Sequence, residues 1–350
     1  MNIPGERKLK KTEFGKRKSV NIQQEEPVHI RFLNAGSTLP VLIEPAGEDV
    51  NLITWAQAHR ELLEANLLKH GAILFRNFKL KTAAELDALI MATCDEVAHY
   101  QEAATPRTYV GGNIYTSTDF PSVQRIFLHN ENSHCPSWPL RLFFFCVVPA
   151  DQGGQTPIAD SRRVMERIDP RIKERFLEKK VMYQRNFGSG LGLPWQAVFN
   201  LKEKADVEEY CRRNGIETEW KDHDRLRIRY VRQAATVHPR TGEMVWFNHV
   251  PLFHISRLEP HVREALLAQF SEEGLPYNAY YGDGSLIEAS VLDEICGTYL
   301  EEMRLFCWQP GDVLMLDNML TAHGREPYTG EQRKILVGMA EPVNYRSVNV

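Results

Sequence analysis

Along the chain the spacing of apolar residues changes from helical to strand-like and back. Within 55–69, Leu62, Leu63, Ala65, Leu67 and Leu68 mark an apolar helical face and Gly71 supplies a cap, so the pattern predicts a helix. A short strand is expected at 72–75. A second helix is expected over 83–97, which opens Ala-Ala-Glu-Leu-Asp-Ala-Leu-Ile-Met. Beyond residue 123 short apolar runs bounded by Pro, Ser and Gly dominate, and strands are predicted at 123–128, 140–148 and 157–159. A helical interlude at 161–179 precedes strands at 181–186, 225–231 and 235–237. Pro239-Arg240-Thr241-Gly242 then turns the chain into a strand at 244–248. Helices are expected again at 260–270 and 290–306, followed by closing strands at 313–316 and 334–340.

Many short strands, with helices grouped at the start and in insertions, argue against alternating βαβ units. The expected fold is mixed α+β and mainly β: a distorted double-stranded β-helix (jelly roll) core with flanking helices and a helical insertion. No fixed-period repeat is present, so residues 27–350 are expected to form one domain behind a flexible basic tail at 1–26. That tail carries Lys8, Lys10, Lys11, Lys16, Arg17 and Lys18 but no apolar segment of the kind a secretory signal needs. Nowhere does an apolar run reach the length of a membrane span.

Composition changes this picture little. Hydrophobic residues at 43% and charged residues at 25% describe an ordinary globular chain, and a net charge of −4 gives no general attraction to nucleic acid or anionic membrane. The six cysteines form no C-x-x-C pair, and several lie in apolar runs, such as Cys146 in Leu-Phe-Phe-Phe-Cys-Val-Val. Reduced, buried thiols in a cytoplasmic protein are therefore expected, in preference to a disulfide framework or zinc ribbon. Neither a G-x-G-x-x-G fingerprint nor a P-loop occurs, which leaves nucleotide-binding classes without support.

Chemistry concentrates in two places. Phe127-Leu128-His129-Asn130-Glu131 puts an imidazole and a carboxylate two residues apart at the end of an apolar strand, where residues i and i+2 share a face. A distant second imidazole, His323, follows the strand at 313–316 and the turn Asp317-Asn318. Two histidines and one carboxylate on one side of an ion leave three positions open, the facial arrangement of non-haem iron(II) oxygenases. H-x-E alone also fits an ordinary strand end in a chain with 12 histidines. The second half, His323-Gly324-Arg325 with Arg333 beyond it, strengthens the metal reading. If the chain turns at Tyr328-Thr329-Gly330 and returns as a strand, Arg333 offers the barrel interior a guanidinium suited to a bidentate pair with a carboxylate. Gly153-Gly154-Gln155-Thr156 reads as a tight turn delivering a hydroxyl to a strand start.

Taken in order, His129-x-Glu131, Gly153-Gly154-Gln155-Thr156, His323-Gly324-Arg325 and Arg333 resemble the taurine dioxygenase (TauD/TfdA) family, over roughly residues 73–342. Leu128-His129-Asn130-Glu131, the run at 153–162 and the run at 317–325 are most similar to its SyrP-like branch. The resemblance implies Fe(II) bound by His129, Glu131 and His323, with 2-oxoglutarate held by Arg333 at its distal carboxylate and by a hydrogen bond from Thr156. O2 is the second cosubstrate. The implied reaction is hydroxylation of an unactivated C–H bond in a small amino acid or amino-acid-derived molecule, free or tethered to a carrier protein, in natural-product biosynthesis. Desaturation or epoxidation needs only a different substrate pose, and small sulfonates or aryloxy acids are substrates elsewhere in the family. The commoner motif is H-x-D; glutamate still supplies a carboxylate oxygen. Related halogenases carry Ala or Gly at that position, so Glu131 argues for oxygen transfer over halogenation.

Other residues keep two readings. Asn248 offers an amide to a polar substrate group or sits satisfied in the core. Arg107, on an expected lid, either pairs with a substrate carboxylate or faces solvent. His249 and His254 fit structural roles, and His134 lies near the metal motif without being an expected ligand. A degenerate, non-catalytic metal-binding barrel would be expected to lack part of the triad or Arg333, and a nucleic-acid binder would interleave aromatics in its basic tail. An enzyme with no nucleic-acid or membrane partner is therefore expected, with homo-oligomerisation left open.

Overall fold

The computed structural model describes residues 27–345, leaving aside 35, 99–106, 119, 189, 223 and 331. The expected tail at 1–26 lies outside the described residues. At the centre runs the strand Ser137–Val148, paired antiparallel with Val313–Asp317 on one side and Lys334–Asn344 on the other. Its apolar run from Leu142 onward is explained by burial on both faces. Alternation sends Phe143 and Phe145 toward Val313, Met315 and Leu336, where the helices Leu52–Ala58, Arg60–His70 and Ala83–Thr93 cover the sheet with Trp55, Leu63, Leu86 and Ile90. Leu142, Phe144 and Cys146 face the opposite way, packing with Leu314, Leu316, Ile335, Val337 and Ile158.

The sheet extends to eight strands in the order Val28–Phe32, Val41–Pro45, Ala72–Phe75, Val313–Asp317, Ser137–Val148, Lys334–Asn344, Ile114–Thr116, Tyr109–Gly111. Only Val41–Pro45 and Ala72–Phe75 run parallel, joined by a helical crossover. A smaller sheet, in which Thr321–Arg325 lies between Ile126–His129 and Ile158–Asp160, closes the second wall. The architecture is the expected mainly β jelly roll with flanking helices. Its insertion, however, is as much sheet as helix. Glu217–Lys221, Arg225–Arg232, Val181–Phe187 and Tyr277–Tyr281 form a four-stranded sheet, beside the hairpin Ala235–Val237 with Met244–Trp246.

One expected helix is broken, and the expected helical interlude consists of two helices, each for a local reason. The segment at 55–69 divides at His59, whose ring stacks on Trp55 and whose Nδ1 lies 2.7 Å from the Trp55 carbonyl oxygen. The interlude at 161–179 divides into Ser161–Arg167 and Pro170–Lys179. There Asp169 caps the second helix by accepting from the Arg171 N–H at 2.8 Å, and Pro170 occupies its first turn. Ala83–Thr93 also stops short of the expected end at 97, after a complete capping box between Thr82 and Glu85 at its start.

A buried ion pair locks the turn that follows Val313–Asp317. Arg141 and Asp317 are cross-strand partners with side chains 1% and 0% exposed, and they form a salt bridge. Arg141 also reaches Glu64 at 2.6 Å, and His238 Nε2 lies 3.1 Å from Asp317 Oδ2. The other carboxylate oxygen accepts the main-chain N–H groups of Met319 and Leu320, both at 3.0 Å. Burial pushes the Asp317 carboxyl upward, but Arg141 and His238 outweigh it and hold the group below the usual carboxylate range. A folded pKa below the unfolded value means that this stabilisation is present above about pH 4 and is lost as pH falls through the folded value. Asp317→Asn is expected to lower stability at pH 7 by roughly 3–5 kcal/mol, because it breaks a buried pair. Urea unfolding at pH 7 and at pH 3 checks this: the difference between wild type and variant should shrink at the lower pH.

Candidate metal centre

His129 and His323 are direct partners across the antiparallel strands Ile126–His129 and Thr321–Arg325, so their side chains leave the sheet on the same face. Their ring centroids are 4.6 Å apart. His129 Nδ1 lies 2.9 Å from the Phe127 carbonyl oxygen, an interaction that fixes the ring and turns Nε2 toward the centre. Gly324 lets the two strands approach, since a Cβ there would lie 2.5 Å from the Ile126 carbonyl oxygen.

Glu131 is not placed by strand alternation. The strand ends at His129, and Glu131 sits in the turn that follows. Asn318 holds that turn: its Oδ1 accepts the Glu131 N–H at 2.7 Å, and its Nδ2 donates to the carbonyls of Glu131 and Pro139, each at 2.9 Å. Asn130 Nδ2 donates in return to the Asn318 carbonyl at 2.6 Å. Glu131 Oε2 consequently lies 3.7 Å from His129 Nε2 and 3.8 Å from His323 Nε2. Metal–ligand bonds of about 2.0–2.2 Å put the ligand atoms of one ion roughly 3–4 Å apart, so this donor set fits a divalent cation. It is the two-histidine, one-carboxylate set that suits iron(II) with positions left open.

Electrostatics prepare the donors. Burial pushes the Glu131 carboxyl upward, but Arg107, with Nη2 2.9 Å from Oε1, and the two imidazoles outweigh it and hold the carboxyl far below its ordinary range. Burial, and then the neighbouring His129, push His323 well below the usual imidazole value, so it is neutral at pH 7 as a ligand must be.

A cavity opens beside the three ligand atoms, with Phe144, Thr156, Arg325, Arg333 and Ile335 in its lining. Arg333 precedes the strand Lys334–Asn344 and donates to the Gly154 carbonyl from Nε at 3.2 Å and from Nη2 at 3.0 Å. Gly154, at φ +68°, makes room: a Cβ would stand 2.9 Å from Arg333 Nε. Among the described residues no carboxylate pairs with Arg333. Burial, and then Arg325, push its guanidinium down to about 10. Arg325 is engaged elsewhere, donating to the carbonyls of Phe120, Pro121 and Gln124. The Thr156 hydroxyl accepts from Trp308 Nε1 at 3.1 Å, which leaves its own proton for a further acceptor.

Among the remaining candidates, Arg107 fits neither of its two readings, whereas the others sit within theirs. Arg107 does not face solvent; its side chain is 4% exposed and ion-paired to Glu131. The Asn248 amide is bound to main chain, with Nδ2 donating to the Ala234 carbonyl at 2.8 Å and Oδ1 accepting the Val250 N–H at 3.2 Å. This favours the core-amide alternative over substrate contact. His249 and His134 pack against each other beside His129, at centroid distances of 4.6 and 5.3 Å along the row. His254 caps a short turn through Ser256. Sequence reasoning gave no role to Asn318, Phe144 or Trp308. Asn318 lay inside a quoted motif, but only its contacts reveal what it holds.

The family model for taurine catabolism dioxygenase TauD, TfdA family, matches residues 37–339. The chain therefore belongs to the TauD/TfdA family and is an iron(II)- and 2-oxoglutarate-dependent dioxygenase. Dapdiamide synthesis protein DdaC from Enterobacter agglomerans is 36% identical over 315 residues, covering 90% of this chain and 95% of that protein. A clavaminate synthase-like protein from Arabidopsis thaliana is 28% identical over 291 residues, covering 79% and 84%. PvcB from Pseudomonas aeruginosa shares the fold at a TM-score of 0.55 and 14% identity, over 90% of this chain and 91% of that one.

Because the Asn248 amide serves the main chain, Asn248→Ala is expected to lower stability by about 1–3 kcal/mol. The affinity of the metal-loaded protein for 2-oxoglutarate should stay unchanged. Thermal melting and a 2-oxoglutarate titration check the two halves separately.

Proposed function

We propose that this enzyme hydroxylates an unactivated C–H bond of an amino acid or amino-acid-derived molecule, free or carried on a carrier protein, in a biosynthetic route to a natural product. In this reading His129, Glu131 and His323 hold the iron(II), and Arg333 with Thr156 holds 2-oxoglutarate. The observation that carries it is one cavity shared by three converging ligand atoms and a half-buried guanidinium without a carboxylate partner among the described residues. The substrate class rests on the extended similarity to a protein named for dapdiamide synthesis. All six cysteines are unpaired and five are buried, which is consistent with a reducing, cytoplasmic setting. No helix among the described residues is long and apolar enough to cross a membrane.

When bound, iron(II) and 2-oxoglutarate supply O2 activation coupled to decarboxylation of the cosubstrate to succinate. The protein's part is orientation and exclusion. His129, Glu131 and His323 would hold the ion while leaving coordination positions for cosubstrate and O2. Arg333 anchors the distal carboxylate through charge-assisted hydrogen bonds, and the Thr156 hydroxyl donates to the same molecule. Phe144 and Ile335 form apolar wall beside the ligand atoms, where they limit water.

Anaerobic addition of iron(II) and 2-oxoglutarate should give the weak visible charge-transfer band of a chelated complex. His129→Ala, Glu131→Ala and His323→Ala should each abolish that band and succinate formation while the fold is retained. Full activity in any one of them rules out the ligand set. Arg333→Met is expected to weaken 2-oxoglutarate several-hundred-fold, the equivalent of roughly 3–5 kcal/mol for a broken buried charge pair, and iron far less. An unchanged 2-oxoglutarate affinity would rule out Arg333 as the anchor. Product mass under 18O2 reads the outcome. An alcohol carrying 18O supports hydroxylation, a product two mass units lighter replaces it with desaturation, and a halide-bearing product overturns oxygen transfer.

A further inference from the structure

We propose that Asn318 is a positioning residue for the metal centre, holding Glu131 by its main chain so that one carboxylate oxygen faces the two imidazoles. The inference rests on the metal ligands proposed above and concerns a side chain to which they assign no task. Glu131 lies beyond the end of its strand, so ladder hydrogen bonds do not fix it. Its N–H and its C=O both bond to the one Asn318 amide, at 2.7 and 2.9 Å. A primary amide is the side-chain group that can accept from one main-chain group and donate to the other at the same time.

Asn318 is itself rigidly held. It is fully buried, its own N–H donates to the Leu140 carbonyl at 2.8 Å, and its second amide proton reaches the Pro139 carbonyl. It follows Asp317, whose carboxylate is locked by Arg141, and it precedes the strand that carries His323. One amide thus joins the turn bearing Glu131 to the segment bearing His323, and fixes the spacing between ligands drawn from distant parts of the chain. At the far end of Glu131, Arg107 takes Oε1, and Oε2 is the oxygen turned toward both imidazoles. Positions within the ligand sphere then stay open, as binding of a chelating cosubstrate requires.

The test uses the full chain, freed of metal and titrated with Mn(II) alone, with free Mn(II) read by electron paramagnetic resonance. Asn318→Ala is expected to weaken Mn(II) about 10–100-fold, the usual effect of removing a group that orients a ligand. Asn318→Ser, which keeps one hydroxyl in reach of the turn, should fall between it and wild type and covers the case in which the alanine variant does not fold. Asn248→Ala removes an equally buried, main-chain-bound amide outside the metal centre. It should melt lower yet bind Mn(II) within about twofold of wild type. Mn(II) affinity in the folded Asn318 variants no weaker than in Asn248→Ala overturns the inference. Glu131→Ala separates the two levels: a lost Mn(II) site there with normal binding in the Asn318 variants defeats positioning alone, whereas unchanged binding in Glu131→Ala defeats the ligand assignment as well.

Discussion

An arginine and an aspartate with almost no contact with water set the geometry on which the centre depends. Arg141 and Asp317 face each other across the two middle strands, and their charges are worth burying because every remaining lone pair is used. Glu64 and His238 share the load, and two main-chain N–H groups close the turn onto Asp317. That turn aims Asn318 at Glu131 and leads into the strand that carries His323. A hydrophobic turn could be equally stable, but it would not fix direction in this way.

The cavity beside the ligands carries an opposite imbalance. Glu131 has Arg107 for a partner, while Arg333 and Arg325 stand near each other with main-chain carbonyls as their acceptors. Arg325 is buried and Arg333 half-buried, and burial, then the neighbouring Arg325, push the Arg333 guanidinium down. A dicarboxylate bound as proposed would relieve the repulsion between the two guanidiniums at one end while its other end reached the metal. The same burial that makes the unliganded cavity electrostatically uncomfortable would favour an anion there.

How much of this was legible in the sequence follows from how local each signal is. The strands at 140–148 and 313–316 declare themselves because both faces are covered, so apolar residues run with a single charged interruption at Arg141. The four-stranded sheet of the insertion does not. Glu217–Lys221 has no buried residue, and its strand character comes from pairing with Arg225–Arg232. His129, Glu131, His323 and Arg333 could be picked out by chemical type and order. Their convergence could not be derived from i and i+2 alternation, because Glu131 leaves the strand and depends on an asparagine 187 residues further along the chain. Arg107 was read as a lid residue for the same reason: sequence shows a cation before the motif, but not that its partner is the motif's own carboxylate.

The pairing of His129 with His323 across adjacent strands has a mechanical side. On the proposed ligand set, an ion gripped by both, and by Glu131, would staple an early strand of the barrel to a late one and close a loop that contains the entire insertion. Such a cross-link removes conformations from the unfolded chain that the folded chain never uses, much as a disulfide does, while remaining reversible at ambient metal concentration. A slip of one residue between the two strands would turn His323 to the other face and release the staple. On the proposed ligand set, metal occupancy would reinforce a registration the strands already have, by an amount that rises with the free-metal level.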